Sequence, residues 1–253
     1  MRAMATPVSP SEVLPLRVDH RREMNCQIVH DSIHRRAGWT KTFALALDDS
    51  SAGFGSVAIG GPWTGKPTIY EFYVAPAHRG SAFRLFEALL AASGARLMEI
   101  QSNDGLPAVM LHTYARDVSS EKIVFRDGAT TTLPSNGAML EQITSDEETQ
   151  DAIRRRQGGT EWRLQMGDDT VATGGILFHY NEPYGDIYMD IDERFRRRGL
   201  GAFLVQELKR VAYGLGSTPC ARCDRDNVAS RMTLQKAGFV PYAPILNACI
   251  PTP

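Results

Sequence analysis

The stretch Arg196-Arg197-Arg198-Gly199-Leu200-Gly201-Ala202 decides how the rest of the chain is read. Before it stands a strand-like run, Asp186-Ile187-Tyr188-Met189-Asp190-Ile191. After it, Leu200, Leu204, Leu208 and Val211 recur at helical spacing. Glycines between a strand end and a helix start remove the Cβ atoms that would hold a ligand off the backbone. The N–H groups of the first helical turn have no partner inside the helix, and they sit at the positive end of its dipole. Such a turn suits an anion, a pyrophosphate in particular. The three arginines add planar forks of donors around it.

A second element lies downstream, Asn227-Val-Ala-Ser230 running on to Lys236 and Gly238-Phe239. With both elements in this order, the chain resembles the GNAT superfamily of acyl-CoA-dependent N-acyltransferases. Arg196, Gly199 and Gly201 match its Arg/Gln-x-x-Gly-x-Gly/Ala motif. The resemblance covers roughly the last hundred residues well and the first half weakly. It implies an α/β (α+β) fold whose mostly antiparallel mixed sheet carries helices on both faces and a splayed central strand pair. It also implies that acetyl-CoA is the acyl donor and an amine the acceptor, with no metal.

Size and composition fit this reading. A chain of 253 residues suits one large or two small domains. A net charge of −1 gives no support to a general nucleic-acid binder. The run Arg194 to Arg198 holds only Phe195 as an aromatic, which reads better as a core anchor than as a stacking platform. No apolar run approaches the roughly 20 residues of a membrane span. The start of the chain mixes Pro and charge and lacks a signal-peptide core. The expected address is therefore cytoplasmic, with neither membrane nor nucleic acid as partner. Of the four cysteines, Cys220 and Cys223 stand at C-x-x-C spacing, but no second pair completes a metal set, and ordinary thiols are expected.

Taken in order, residues 1–20 read as a loose leader and 21–36 permit a helix. Strands are expected at 43–47, 53–59, 70–74 and 97–100. Helices should follow 81 and run from about 105 to 114, and a hairpin over 121–132 turns at Asp127-Gly128. A polar segment, 144–159, joins the halves, with 151–156 permitting a helix. Strands at 161–165 and 171–179 then lead into 186–191, and Asn227 caps a helix running to Ala237. The domains read as 21–143 and 160–253. Both follow one plan, since Val74 aligns with Ile191 and Arg79 with Arg196, each 117 residues apart. At that offset Ala82 replaces Gly199 and Arg84 replaces Gly201. The first half is therefore expected to be a degenerate copy that has lost the bare cradle.

The resemblance assigns roles residue by residue. Backbone groups of Met189 and Ile191 bond the pantetheine amides, and Arg196 through Ala202 take the pyrophosphate. Asn227 and Ser230 border the cofactor arm, although a helix cap alone also explains Asn227. Attack by an amine needs a base, and departure of the thiolate benefits from an acid. For the base, Asp190 and Glu193 sit nearest the cradle, Asp190 first, with Asp186 and His179 further back; for the acid, Tyr188 leads, with Tyr184 and Tyr242 as alternatives. The Tyr that many members carry seven residues after the Asn is Leu234 here. That departure keeps open a second reading, a sensor that binds acyl-CoA without turning it over. A third reading is a homodimer assembled through the degenerate half.

Overall fold

The computed structural model describes residues 2–143 and 160–251, so the expected linker 144–159 and its helix lie outside the described residues. In chain order the elements of the first half are β1 (Ala3–Val8), α1 (Leu14–Met24), β2 (Thr40–Leu47), β3 (Ser50–Ala58), β4 (Thr68–Val74), α2 (Ala82–Ser93), β5 (Leu97–Gln101), α3 (Gly105–Tyr114) and β6 (Arg116–Asp127). Those of the second half are β7 (Met139–Gln142), β8 (Thr160–Met166), β9 (Asp169–Leu177), β10 (Tyr184–Ile191), α4 (Leu200–Gly214), β11 (Thr218–Asp224), α5 (Val228–Lys236) and β12 (Phe239–Cys249). They form two compact units, one of Met1–Glu121 with Pro244–Pro253, the other of Lys122–Ala243.

In the first unit the strand order is β1-β2-β3-β4-β5 followed by the end of β12. All pairs are antiparallel except β4 with β5, which touch only at Thr68↔Leu97 and Ile69↔Met98 and then part. One face is an apolar core in which Phe86 and Leu89 of α2 and Met110 and Leu111 of α3 meet Phe43, Leu45, Phe72 and Val74. Against Phe54 and Tyr73 of β3 and β4 pack Val13 and Leu16, at the start of α1.

The second unit repeats this plan, in the order β6-β11-β10-β9-β8-β7. Here the parallel pair is β10 with β11, joined at Tyr184↔Thr218, Gly185↔Pro219 and Asp186↔Cys220 and unpaired beyond. Leu204, Val205 and Leu208 of α4, Leu234 of α5 and Ile187 of β10 share one core.

Three expectations change. The supposed leader is structured: β1 pairs with β2 from Ala3↔Leu47 to Val8↔Thr42, and α1 occupies Leu14–Met24 rather than 21–36. Pro15 suits the first turn of that helix. The helix's buried residues are Arg17 and His20, so no apolar stripe announced it. The hairpin at 121–132 is absent, because β6 is one long strand paired with β11 from Cys220↔Arg126 to Asp224↔Lys122. Gly128 and Ala129 leave it by donating to the carbonyl of Gly238, at 3.0 and 2.9 Å.

The third change concerns the boundaries drawn at 143 and 160, which do not coincide with the compact units. Each sheet takes its last strand from the other half of the sequence. Residues 122–126 of β6 pair with β11, and Ile245↔Gln101 to Cys249↔Leu97 place the end of β12 beside β5.

Candidate functional site

The gap beyond Asp186 is edged by backbone groups of known direction. The N–H of Asp192 donates to the carbonyl of Val171 at 3.1 Å, continuing the register Ile191↔Ala172. Because bonded and non-bonded pairs alternate in an antiparallel ladder, the even-numbered residues of β10 are the ones bonded to β9. Met189 and Ile191 therefore turn their N–H and C=O groups toward the gap, as does the carbonyl of Ile187, whose N–H serves the pair Asp186↔Cys220. The carbonyl of Ile191 accepts from Arg196 Nε at 3.2 Å.

At the open end lies the turn. Arg197 and Gly199 both adopt left-handed conformations, with φ of 63° and 81°. For Arg197 this strain amounts to about 1–2 kcal/mol, a signature of functional turns. The first intrahelical bond of α4 runs from Phe203 N–H to Gly199 C=O at 3.1 Å, which leaves the N–H groups of Leu200, Gly201 and Ala202 ahead of the ladder. Arg196, Arg197 and Arg198 are exposed. Arg196 pairs with Glu193 at 3.1 Å, and Arg198 lies over the Phe195 ring, 5.2 Å from its centroid.

The two glycines have different work. A Cβ on Gly199 would meet only Lys236 Nζ at 3.8 Å and Asn136 Nδ2 at 4.0 Å, so its glycine answers to backbone conformation. A Cβ on Gly201 would stand 3.2 Å from Thr233 Cγ2 and 3.4 Å from Ile191 Cγ1, so that glycine lets α4 seat against β10 and α5.

Lys236 and Asn136 were given no role by sequence reasoning. Asn136, itself left-handed at φ 52°, donates to the carbonyl of Arg198 at 3.2 Å. Its loop is tied to α4 by Gln206, whose Oε1 accepts from Leu133 N–H at 2.6 Å and Thr131 Oγ1 at 2.9 Å. Lys236 is the last residue of α5, two before Gly238, and its Nζ reaches back to the cradle at Gly199.

Asn227 caps α5, its Oδ1 accepting from the N–H of Ser230 at 2.9 Å. Leu234 is buried in the core, so no acid stands at that position. Cys220 and Cys223 are buried thiols outside any disulfide, and their odd separation sends them to opposite faces of β11, which explains why they do not pair with each other. Among the described residues no group of three or more His, Cys, Asp or Glu side chains is placed to hold a metal ion, and no helix is long and apolar enough to cross a membrane.

The face of β10 away from α4 carries the titratable groups. The missing Cβ of Gly174 points at Leu204 and Leu208, and that of Gly175 at the Tyr188 hydroxyl. Tyr188 therefore shares the second face with Asp186 and Asp190. Tyr188 donates to Glu161 Oε1 at 2.9 Å. Asp190 is exposed. Asp186 is buried, its Oδ2 2.9 Å from His179 Nε2 and 3.8 Å from Arg222 Nε. Tyr180 packs on His179 with ring centroids 4.6 Å apart, and burial, then the Asp186 charge, push its phenol well above the usual range. It is thus neutral at any physiological pH.

The first unit keeps the frame and loses the cradle. Residues Pro76–Ser81 form a 3₁₀ turn that runs straight into α2, with Ala82 N–H donating to Arg79 C=O and no left-handed residue. Arg84 bonds Ser81 Oγ at 2.9 Å. Asp104 occupies the place of Asn227: its N–H donates to Gln101 C=O at 3.0 Å, as that of Asn227 does to Asp224 C=O at 3.1 Å. Its carboxylate meets His20 at 2.7 Å, and Glu23 grips Arg79. These groups line a cavity of about 390 Å³, in which each carboxylate is paired with a cation.

Two such units, each parting a parallel strand pair, define a tandem acyltransferase-like fold. Residues 131–239 match the model of the acetyltransferase (GNAT) family, and the fold of the chain is that of GNAT acetyltransferases. An acetyltransferase from the GNAT family of Colwellia psychrerythraea superposes with a TM-score of 0.72 at 14% identity, over 98% of this chain and 99% of its own. A tandem GNAT protein from the clavulanic acid biosynthesis pathway does so at 0.62 and 14%, over the whole of both chains. A GCN5-related N-acetyltransferase from Sphaerobacter thermophilus gives 0.59 and 13%, over 100% of this chain and 97% of its own. No curated protein matches the sequence.

Proposed function

We propose that the second unit transfers an acetyl group from acetyl-CoA to a primary amine by direct attack in a ternary complex. The observation that carries this reading is the row of outward backbone groups at Ile187, Met189 and Ile191, leading from a strand junction to an unsatisfied helix N-terminus. An arm containing amides can add to that edge as a strand would, with its diphosphate on the N–H groups of Leu200 to Ala202 and the cations of Arg196, Arg197, Arg198 and Lys236 around it. Asn227 and Ser230 border the arm, Tyr188 is the candidate acid and Asp190 a candidate base on the acceptor side. Calorimetry with acetyl-CoA tests the site: binding should be lost in Gly199→Val and kept in Asp104→Asn. Binding that tracks Asp104 instead would move the donor to the first unit.

A sensor that holds acyl-CoA without turnover is the second reading, favoured by the buried Leu234. Release of free CoA in the presence of amines separates the two.

A further inference from the structure

The acyl donor's arm, if it lies in the gap of the second unit as just proposed, ends where the strands rejoin, at Asp186↔Cys220. The amine reaches that point from one side only. Ile187, Met189 and Ile191 pack with Leu204, Leu208 and the rest of the apolar core on the α4 side. Acceptor and proton acceptor therefore belong on the face of Asp186, Tyr188 and Asp190. Asp190 lies four residues up the strand from the junction, about 13 Å in an extended chain. Asp186 lies at it, buried, with His179 bonded through Nε2.

We propose that His179, oriented by Asp186, takes the proton of the incoming amine. With Nε2–H donated to the carboxylate, the lone pair of the neutral ring is at Nδ1, which has no partner among the described residues. Asp186 is the positioning residue, fixing tautomer and ring plane as the carboxylate of a Ser-His-Asp triad does. The charged and titratable groups around the pair are Arg222 on β11, Tyr180 beside the ring, and Cys220, whose thiol bonds Gly185 C=O at 3.2 Å. Tyr188 and Glu161 stand next along the strand. The ammonium gives one proton to Nδ1, and the neutral amine forms the C–N bond at the acyl carbon. The C–S bond breaks with its electron pair on sulfur, the second nitrogen proton passes to the thiolate, and His179 returns its proton to water.

This inference rests on the donor site proposed above, and two nucleophiles separate their failures. Hydroxylamine is largely neutral at pH 7 and needs no base before attack, whereas ethanolamine, spermidine, glucosamine and glycinamide are largely protonated. CoA release is followed with each in wild type, His179→Gln and Asp186→Asn, alongside calorimetric affinity for acetyl-CoA. The expected result is unchanged acetyl-CoA affinity and an amine rate about 100-fold lower in His179→Gln. The hydroxylamine rate should stay within about threefold, since only the base-dependent part is removed. Asp186→Asn should shift the pH profile with the amine and leave that with hydroxylamine in place. Equal loss with both nucleophiles, or in neither, overturns the assignment while leaving the donor site standing. So does a wild type that uses hydroxylamine and no amine. A wild type that does not bind acetyl-CoA overturns both.

Discussion

Arg79 and Arg196 make the same bond in the two units: each Nε donates to the carbonyl five residues earlier, Val74 and Ile191, at 3.2 Å in both. Each bond ties a turn to the end of the strand before it, at the edge of a parted strand pair. What differs is the path that follows: a left-handed cradle comes after Arg196, whereas the 3₁₀ turn that holds Arg79 runs straight into α2. The difference between the units is therefore confined to the turn, while the strand frame persists.

The two glycines of the cradle should fail in different ways. Gly199→Ala has room for its methyl but forces an L-residue to φ 81°, about 1–2 kcal/mol of strain. Relaxing that strain turns the cradle amides aside, so acetyl-CoA affinity should fall by roughly tenfold or more, a charge-assisted hydrogen bond being worth about 1.5–3 kcal/mol. Gly201→Ala keeps its helical backbone and presses on Thr233 and Ile191, so it should lower stability by about 1 kcal/mol with a smaller loss of affinity. Gly201→Arg, which copies Arg84, should lose both affinity and melting temperature. Calorimetry and thermal melts check these, and undiminished affinity in Gly199→Ala would place the diphosphate elsewhere.

Asn227 is a cap, and whether it also touches the donor is open to a clean test. Asn227→Ala removes the bond to Ser230 N–H and should cost about 1 kcal/mol. Asn227→Asp keeps the cap and adds a negative charge where the arm is proposed to lie. If Asn227→Asp melts like wild type yet binds acetyl-CoA weakly, the side chain serves both purposes. Equal affinity in the two would restrict it to the cap.

Two buried pairs in the first unit should give opposite pH responses. Burial opposes a charge on Glu71, but His34 at 2.6 Å, with the charges of Arg17 and His20, holds its carboxyl at about 2 instead of 4.5. A folded value below the unfolded one contributes stability that is complete above pH 4.5 and lost as pH falls toward 2. For His20, burial pulls the imidazole down, yet the bond and charge of Asp104 raise it above 6.5. That contribution is complete below pH 6.5 and lost as pH rises through the raised value. Melting temperature against pH should lose its acid slope in Glu71→Gln and its slope above pH 6.5 in His20→Gln. Unaltered slopes would show that neither pair carries the dependence.

The end of β12 should matter to the first unit rather than the second. Ile245 is buried beside β5, and Ile245→Ala should cost about 2–5 kcal/mol. Proteolysis and hydrogen exchange should locate the loss within residues 2–121, with acetyl-CoA binding by the second unit retained. Loss centred on 122–243 would contradict the division into units.

How much of this was open to a reader of the sequence follows from what each element depends on. The cradle, β10 and α4 were legible because glycine spacing and the periodicity of Leu200, Leu204 and Leu208 are local signals. The repeat was legible through Val74 and Ile191 for the same reason. Helix α1 was not, since its buried face is Arg17 and His20, held by Asp31 and Asp104 from distant parts of the chain. Nor was the crossing of β6 and β12 between sheets, because strand partners leave no mark in a local pattern. His179 lies past the end of β9, and only the fold brings it to Asp186.

The exchange of final strands also sets an order on biosynthesis. When β5 emerges from the ribosome its neighbour, 245–249, is still more than a hundred residues from being made. Until then the first sheet carries an unprotected border strand, the kind of edge along which nascent chains associate with one another. The degenerate half is thus the first to be translated and the last to be finished.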